Sequence, residues 1–145
     1  MTIKRMDHIG IVVEDLPAAI EFFTQLGLEL EGQGQVEGEL VDRLIALEGV
    51  RSDIAMLRTR DGQRIVELSQ FHSPPMQRDS RDAPANTSGI RHISFVVDDI
   101  EAAIAGLRER GGELVGELQR YEDSYLLCYV RGPEGIIVEL AQELG

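Results

Sequence analysis

The sequence predicts an α+β fold built from two tandem modules, each with the element order β-α-β-β-β. The first observation is a repeat: residues 7–30 and 91–114 of the 145-residue chain share 11 identities in 24 aligned positions, where ordinary residue frequencies leave about one or two. The second is a shorter repeat that closes each half, 65–70 against 137–142. The third is that apolar residues between these landmarks alternate or recur at helical spacing.

Each module is expected to begin with a strand, over 8–13 and 92–97, because both runs are rich in β-branched and apolar residues. Acidic residues at 14–15 and 98–99 then cap a helix, whose N-terminal dipole favours negative charge. Gly27 and Gly111 mark the helix ends. The remaining strands are predicted at 28–31, 54–59 and 63–69 in the first half, and at 113–119, 125–131 and 136–141 in the second.

Two stretches interrupt the repeat. The first half is twelve residues longer between its landmarks, and residues 39–47 within 32–53 fit either a short helix or an extra strand. Residues 71–89 carry prolines, small polar residues and several charges, which is typical of an irregular connector. The predicted organisation is a first module over 1–70, a connector over 71–89 and a second module over 90–145, together one compact domain.

The charge balance excludes several kinds of partner. Lys and Arg number 14 against 26 Asp and Glu, a net charge of −12, so nucleic acid and anionic membranes are disfavoured. The apolar share of 43% is enough for a core. Cys128, the single cysteine, is predicted to be a buried and inert thiol. No secretory signal and no bilayer-length apolar run is visible, so the expected location is the cytoplasm.

Strand alternation predicts that each half offers one histidine and one glutamate opposite an apolar face. These residues are His8 and Glu67 in the first half, and His92 and Glu139 in the second. Two imidazoles and two carboxylates suit Zn, Fe(II), Co, Ni or Mn, and would leave two positions at an octahedral ion for a bidentate substrate. The same pattern also fits hydrogen-bonded structural residues inherited by duplication, so spacing alone leaves both readings open.

The sequence resembles the vicinal oxygen chelate superfamily, which includes glyoxalase I, methylmalonyl-CoA epimerase, extradiol dioxygenases and bleomycin- and fosfomycin-resistance proteins. The motifs are Asp-His-Ile-Gly-Ile-Val-Val at 7–13, Arg-His-Ile-Ser-Phe at 91–95 and Arg-Gly-Pro-Glu-Gly-Ile-Ile-Val-Glu-Leu at 131–140. The resemblance covers nearly the whole chain. It implies an open, cupped mixed sheet around one site, with the helices on the outside, and a homodimer.

Carried onto this sequence, the resemblance implies that His8, Glu67, His92 and Glu139 bind one divalent ion, which is Zn, Ni, Co, Mn or Fe(II). It also implies a glyoxalase-like lyase or isomerase that moves a proton on a small hydroxycarbonyl or enediolate substrate, with Glu67 or Glu139 as the base. The epimerases of the superfamily often carry glutamine at the position of Glu67.

Two alternatives belong to the same superfamily. Extradiol ring-cleaving dioxygenases use two histidines and one glutamate on iron, so a fourth protein ligand fits them less well. Metal-free drug-binding resistance proteins stack their ligands on aromatic side chains. This chain has no tryptophan and 5% aromatic residues, so this alternative also fits it less well.

Other polar residues are assigned smaller roles from the sequence. His72 is predicted to be a surface residue of the connector. Arg91 is predicted to form a surface salt bridge, or else to meet an anionic substrate. Tyr121, Tyr125 and Tyr129 fit either the lining of the site or ordinary strand packing.

Overall fold

The computed structural model describes residues 1–78 and 81–145, and the chain divides into two compact units, Met1–Arg78 and Asp79–Gly145. The elements of the first unit are β1 (Ile9–Val12), α1 (Leu16–Gln25), β2 (Glu29–Glu37), α2 (Glu39–Ile45), β3 (Arg51–Arg58) and β4 (Arg64–Ser73). Its sheet has the order β1-β4-β3-β2. Strand β1 runs parallel to β4, and the other neighbours are antiparallel.

The second unit repeats this topology. Its elements are β5 (His92–Val96), α3 (Ile100–Arg108), β6 (Glu113–Leu114), β7 (Gln119–Tyr121), β8 (Tyr125–Arg131) and β9 (Ile137–Glu143), with a 3₁₀ turn at Pro133–Gly135 between the last two. The sheet order is β5-β9-β8-β6, and β7 also pairs with β8. Strands β5 and β9 are parallel, as β1 and β4 are. The predicted α+β class is confirmed, and each unit forms its own mixed sheet.

The helix starts are built from residues that the repeat duplicates. The carboxylates of Asp15 and Asp99 each accept a hydrogen bond from a first-turn backbone N–H, at 3.1 and 3.0 Å. The side-chain oxygens of Gln70 and Gln142 accept the first helical N–H of α1 and α3, at 3.1 and 2.8 Å. Each glutamine therefore ties a strand of the sheet to the start of a helix and satisfies an N–H that the helix leaves open.

All three helices in the described ranges are short, with 10, 7 and 9 residues in α1, α2 and α3. A bilayer crossing needs about 20 predominantly apolar residues. Within residues 1–78 and 81–145, no helix has the length and apolar character to cross a membrane.

Each unit has an apolar core between its first helix and one face of its sheet. In β1 and β5 the outward residues alternate with half-buried ones, as the predicted two-residue period requires. The large side chains that are fully buried are Val13, Phe23, Leu57, Val66 and Leu68 in the first unit, and Ile100, Val130, Val138 and Leu140 in the second. The opposite face of each sheet is more exposed and carries polar side chains together with apolar ones such as Val12 and Val96.

The segment over 32–53 differs most from its repeat. Strand β2 extends to Glu37 rather than ending at residue 31, because it pairs with β3 along its length. Helix α2 follows, so the helical alternative is correct for residues 39–45. The carboxylate of Asp42 then accepts hydrogen bonds from the backbone N–H groups of Gly49 and Val50, at 3.0 and 2.9 Å. These bonds fasten the loop that leads into β3.

Two of the larger boundary differences from the sequence prediction concern β4 and the strand predicted over 113–119. Strand β4 continues to Ser73, so residues 71–73 lie in the sheet and not in the connector. The strand predicted over 113–119 is split into β6 and β7, which pair with different parts of β8. Both differences come from strand pairing, which a local residue pattern does not report.

Cys128 is buried in β8, with 3% of its surface exposed. Burial raises the pKa of its thiol above the ordinary value, and the thiolate is the form that reacts with disulfide reagents. We expect native protein to react with Ellman's reagent at neutral pH far more slowly than protein unfolded in guanidinium chloride. Equal rates in the two states would contradict the buried thiol.

Candidate metal centre

His8 and Glu67 form a pair in the first unit. His8 directly precedes β1, and Glu67 lies within the parallel neighbour β4, where the register sets Gly10 beside it. Strand alternation turns both side chains to the face of the sheet that is opposite the core. The Nε2 atom of His8 lies 3.6 Å from Oε2 of Glu67, and the two side chains are 33% and 29% exposed.

His92 and Glu139 form the equivalent pair in the second unit. The Nε2 atom of His92 lies 3.7 Å from Oε1 of Glu139, and the side chains are 36% and 23% exposed. Ser94 stands beside Glu139 in the parallel pair β5 and β9, which is the register of Gly10 and Glu67. The same topology therefore places the same two ligand types in each unit.

The four residues predicted as ligands thus appear as two pairs, and each pair is described within its own unit. In the parts of the chain that the structure describes, no group of three or more His, Cys, Asp or Glu side chains has the spacing of a metal site.

The spacing within each pair fits two ligands of one divalent ion. Histidine and glutamate donors bind such ions at about 2.0–2.2 Å, so two donors of one ion lie within about 4.3 Å of each other. The separations of 3.6 and 3.7 Å fall inside this limit and exceed an ordinary hydrogen bond of about 2.7–3.2 Å. Each pair also combines a nitrogen with a carboxylate oxygen, the donor set that Zn, Ni, Co, Mn and Fe(II) accept.

A carboxylate behind His8 orients its ring. Asp7 Oδ2 lies 2.6 Å from Nδ1 of His8, on the side of the imidazole away from Glu67. A carboxylate in this place accepts the Nδ1 proton and leaves the Nε2 lone pair free, which is the usual arrangement behind a metal-binding histidine. The Asp-His dipeptide at 7–8 contains this signal, although the sequence pattern predicts no role for Asp7.

Tyr129 is the aromatic residue beside the second pair. It lies on β8 directly opposite Glu139, and its hydroxyl oxygen is 3.5 Å from Nε2 of His92. The two rings are 4.9 Å apart between centroids and tilted by 44°. At the equivalent place in the first unit, Met56 stands opposite Glu67. The pairs therefore match in their ligands and differ in the neighbour that faces them.

Comparison with known proteins assigns a family to this paired arrangement. Residues 5–140 match the model of the Glyoxalase/Bleomycin resistance protein/Dioxygenase superfamily. The chain belongs to this superfamily. The match covers both units and confirms the resemblance that the repeated motifs show.

Relatives in the glyoxalase superfamily align over most of the chain. The crystal structure of a glyoxalase family protein from Bacillus cereus is 49% identical, with a TM-score of 0.95, and covers 100% of this chain and 97% of that chain. The protein YaeR of Escherichia coli (strain K12) is 33% identical over an alignment of 145 positions that covers 97% of this chain and 98% of YaeR. A 2-epi-5-epi-valiolone epimerase from Actinomyces sp is 29% identical over an alignment of 143 positions that covers 92% of this chain and 76% of the epimerase.

His72 forms a separate pair with Asp53, on the other face of the first sheet from Glu67. The register sets Asp53 beside Gln70 and Met56 beside Glu67. Asp53 and Met56 are three residues apart on β3, and because side chains alternate along a strand, they lie on opposite faces of the sheet. The Nε2 atom of His72 lies 2.8 Å from Oδ2 of Asp53, and this hydrogen bond holds the pKa of the Asp53 carboxyl below its ordinary value. The pair thus lies on the other sheet face from the predicted ligands of the first unit.

The other candidates from the sequence are Arg91, Tyr121 and Tyr125. The guanidinium of Arg91 donates hydrogen bonds to the carbonyl oxygens of Thr87 and Ser88, at 3.1 and 2.9 Å. Arg91 therefore anchors the loop that leads into β5. Tyr121 and Tyr125 are 57% and 38% exposed, and it is Tyr129 that contacts a predicted ligand.

Proposed function

We propose that this glyoxalase superfamily protein is a divalent-metal-dependent isomerase or lyase that moves a proton on a small hydroxycarbonyl or enediolate substrate. The observation that carries the proposal is the duplicated pair, since each unit holds a histidine Nε2 and a glutamate oxygen 3.6 or 3.7 Å apart at the same sheet position. These pairs stay open at ligand spacing.

In this proposal His8, Glu67, His92 and Glu139 hold the ion, which supplies Lewis-acid polarisation of a substrate carbonyl and so acidifies the neighbouring C–H. Asp7 holds His8 in the tautomer that presents Nε2. One of the two glutamates takes the proton from the substrate carbon and returns it to the same or the adjacent carbon. The proton is conserved, and no external oxidant or reductant takes part.

One of the relatives favours proton transfer within the superfamily. An epimerase inverts a stereocentre, and the 2-epi-5-epi-valiolone epimerase aligns with 92% of this chain. Removal and return of a carbon-bound proton is one route to such an inversion. This supports an isomerase more directly than it supports a ring-cleaving dioxygenase.

Metal analysis tests the proposal. Protein purified without chelator is analysed for Zn, Ni, Co, Mn and Fe, as wild type and as His92→Ala and His72→Ala. We expect stoichiometric metal in the wild type and loss of metal in His92→Ala. His72→Ala is the matched control, because His72 also faces a carboxylate but lies on the other face of the sheet, and it should keep its metal.

Two outcomes would contradict the proposal. Wild type without stoichiometric metal, even after incubation with each ion, would favour the metal-free ligand-binding alternative. Iron-loaded protein that consumes oxygen with a catechol would favour the ring-cleaving dioxygenase. The homodimer that the resemblance implies stays a prediction.

A further inference from the structure

An apolar cavity of about 290 Å³ lies in the first unit. It is lined by Val12, Leu47, Phe71, Pro74, Pro75 and Met76, together with Gln77. None of these side chains is charged. Ligand pockets commonly begin at about 300 Å³, so this cavity matches a single ring or a short alkyl chain.

The cavity lies on the same sheet face as the His8 and Glu67 pair. Val12 is four residues beyond His8 along β1, and Phe71 is four residues beyond Glu67 along β4, so alternation turns all four side chains to one face. At about 3.3 Å per residue, the cavity is about 13 Å from the pair along the strands.

Small residues form the floor between the pair and the cavity. Gly10 and Ser69 are the residues of β1 and β4 that share this face between the two ends. A Cβ atom added at Gly10 would meet no heavy atom within 4 Å. The strand therefore leaves open space above Gly10, where an extended small molecule can lie.

The cavity belongs to the part of the first unit that breaks the repeat. Leu47 follows α2, for which the described residues of the second unit show no counterpart between β6 and β8. Pro74, Pro75 and Met76 follow the end of β4. Phe71 corresponds to Glu143, a charged and exposed residue at the same place on β9. The two units thus share the His–Glu pair, and the apolar cavity is formed by residues that are not duplicated.

We infer that the ligand of this protein has two neighbouring oxygens at one end and an uncharged apolar group at the other, with the apolar group seated in this cavity. The inference rests on the proposed function for the oxygen end. The uncharged lining selects the apolar end, and the open space above Gly10 lies between the pair and the cavity.

A series of alkyl hydroxamates tests the inference, because each carries two neighbouring oxygens and a tail of chosen length. Acetohydroxamate, octanohydroxamate and dodecanohydroxamate are titrated by calorimetry into zinc-loaded wild type, Val12→Glu and Val96→Glu. Val12 and Val96 are matched, since they occupy equivalent repeat positions and are 51% and 63% exposed. Circular dichroism checks that both variants fold.

We expect the Kd of wild type and Val96→Glu to fall by up to about fourfold for each methylene that the cavity buries. The Kd of Val12→Glu should hardly change along the series, because a carboxylate then stands at the cavity wall. No dependence on tail length in wild type, or the same dependence in all three proteins, would overturn the inference even where zinc and acetohydroxamate bind.

Metal-free protein separates this inference from the proposed function. Butanol and octanol carry alkyl tails without the chelating oxygens. Tighter binding of octanol than of butanol to wild type and Val96→Glu, but not to Val12→Glu, would support the cavity even if the protein binds no metal. Absence of any such preference, together with a flat hydroxamate series, would overturn the cavity and leave the metal site to its own test.

Discussion

We expect one of two single variants, Glu67→Gln or Glu139→Gln, to transfer protons about 10²–10⁴ times more slowly than wild type. The other variant should keep nearly the wild-type rate. Glutamine keeps the shape and one oxygen donor, but it has no charge and cannot take a proton. The variant that lacks the base loses the general-base contribution of that size. The other variant loses metal affinity and recovers its rate when the ion is supplied in excess.

The measurement is deuterium incorporation from D₂O into a hydroxyketone, followed by NMR on metal-loaded protein. Bound metal is determined in the same samples, so that loss of the ion is distinguished from loss of the base. Asp53→Asn is the matched control, because Asp53 also faces a histidine but on the opposite sheet face, and it should exchange at the wild-type rate. Deuterium incorporation at the wild-type rate in both glutamine variants would show that neither glutamate is the base.

Phe23→Ala is expected to lower the free energy of unfolding by about 3–5 kcal/mol. Phe23 is fully buried in α1 and packs edge-on against Phe22, with 5.1 Å between ring centroids. Truncation leaves a cavity and removes an aromatic contact. Since total stability is commonly about 5–15 kcal/mol, this is a large share.

Guanidinium unfolding followed by far-ultraviolet circular dichroism measures this loss. Ile3→Ala is the control, because Ile3 is 88% exposed and its truncation should change the free energy by less than about 0.5 kcal/mol. A loss below about 1 kcal/mol for Phe23→Ala would contradict the buried position of this ring.

The repeat made most of the fold predictable. Helix caps, glycine stops and alternating strands are short-range patterns, and their recurrence in the second half supported each assignment independently. The segments outside the repeat are harder to predict from the sequence. Residues 39–45 form a helix that ends in a loop held by Asp42, and periodicity over seven residues was too short to choose between helix and strand.

The candidate site was predictable in its residue types and less so in its surroundings. The repeat pointed to one histidine and one glutamate in each half, and the structure brings these two together in each unit. The contacts of Tyr129 with His92 and of Asp7 with His8 depend on distances between side chains, and residue type alone does not determine these distances. The apolar cavity depends on Leu47 and Pro74, which are distant in sequence from each other.

The sequence by itself determined the duplicated α+β organisation, the superfamily and the positions of the two histidines and two glutamates, because each is carried by a local pattern that occurs twice. Only the tertiary structure decided which tyrosine faces a ligand, that His72 pairs with Asp53 on the other face, and that an apolar cavity adjoins one pair. Strand register and loop closure set these relations, and both arise from contacts between segments that are far apart along the chain.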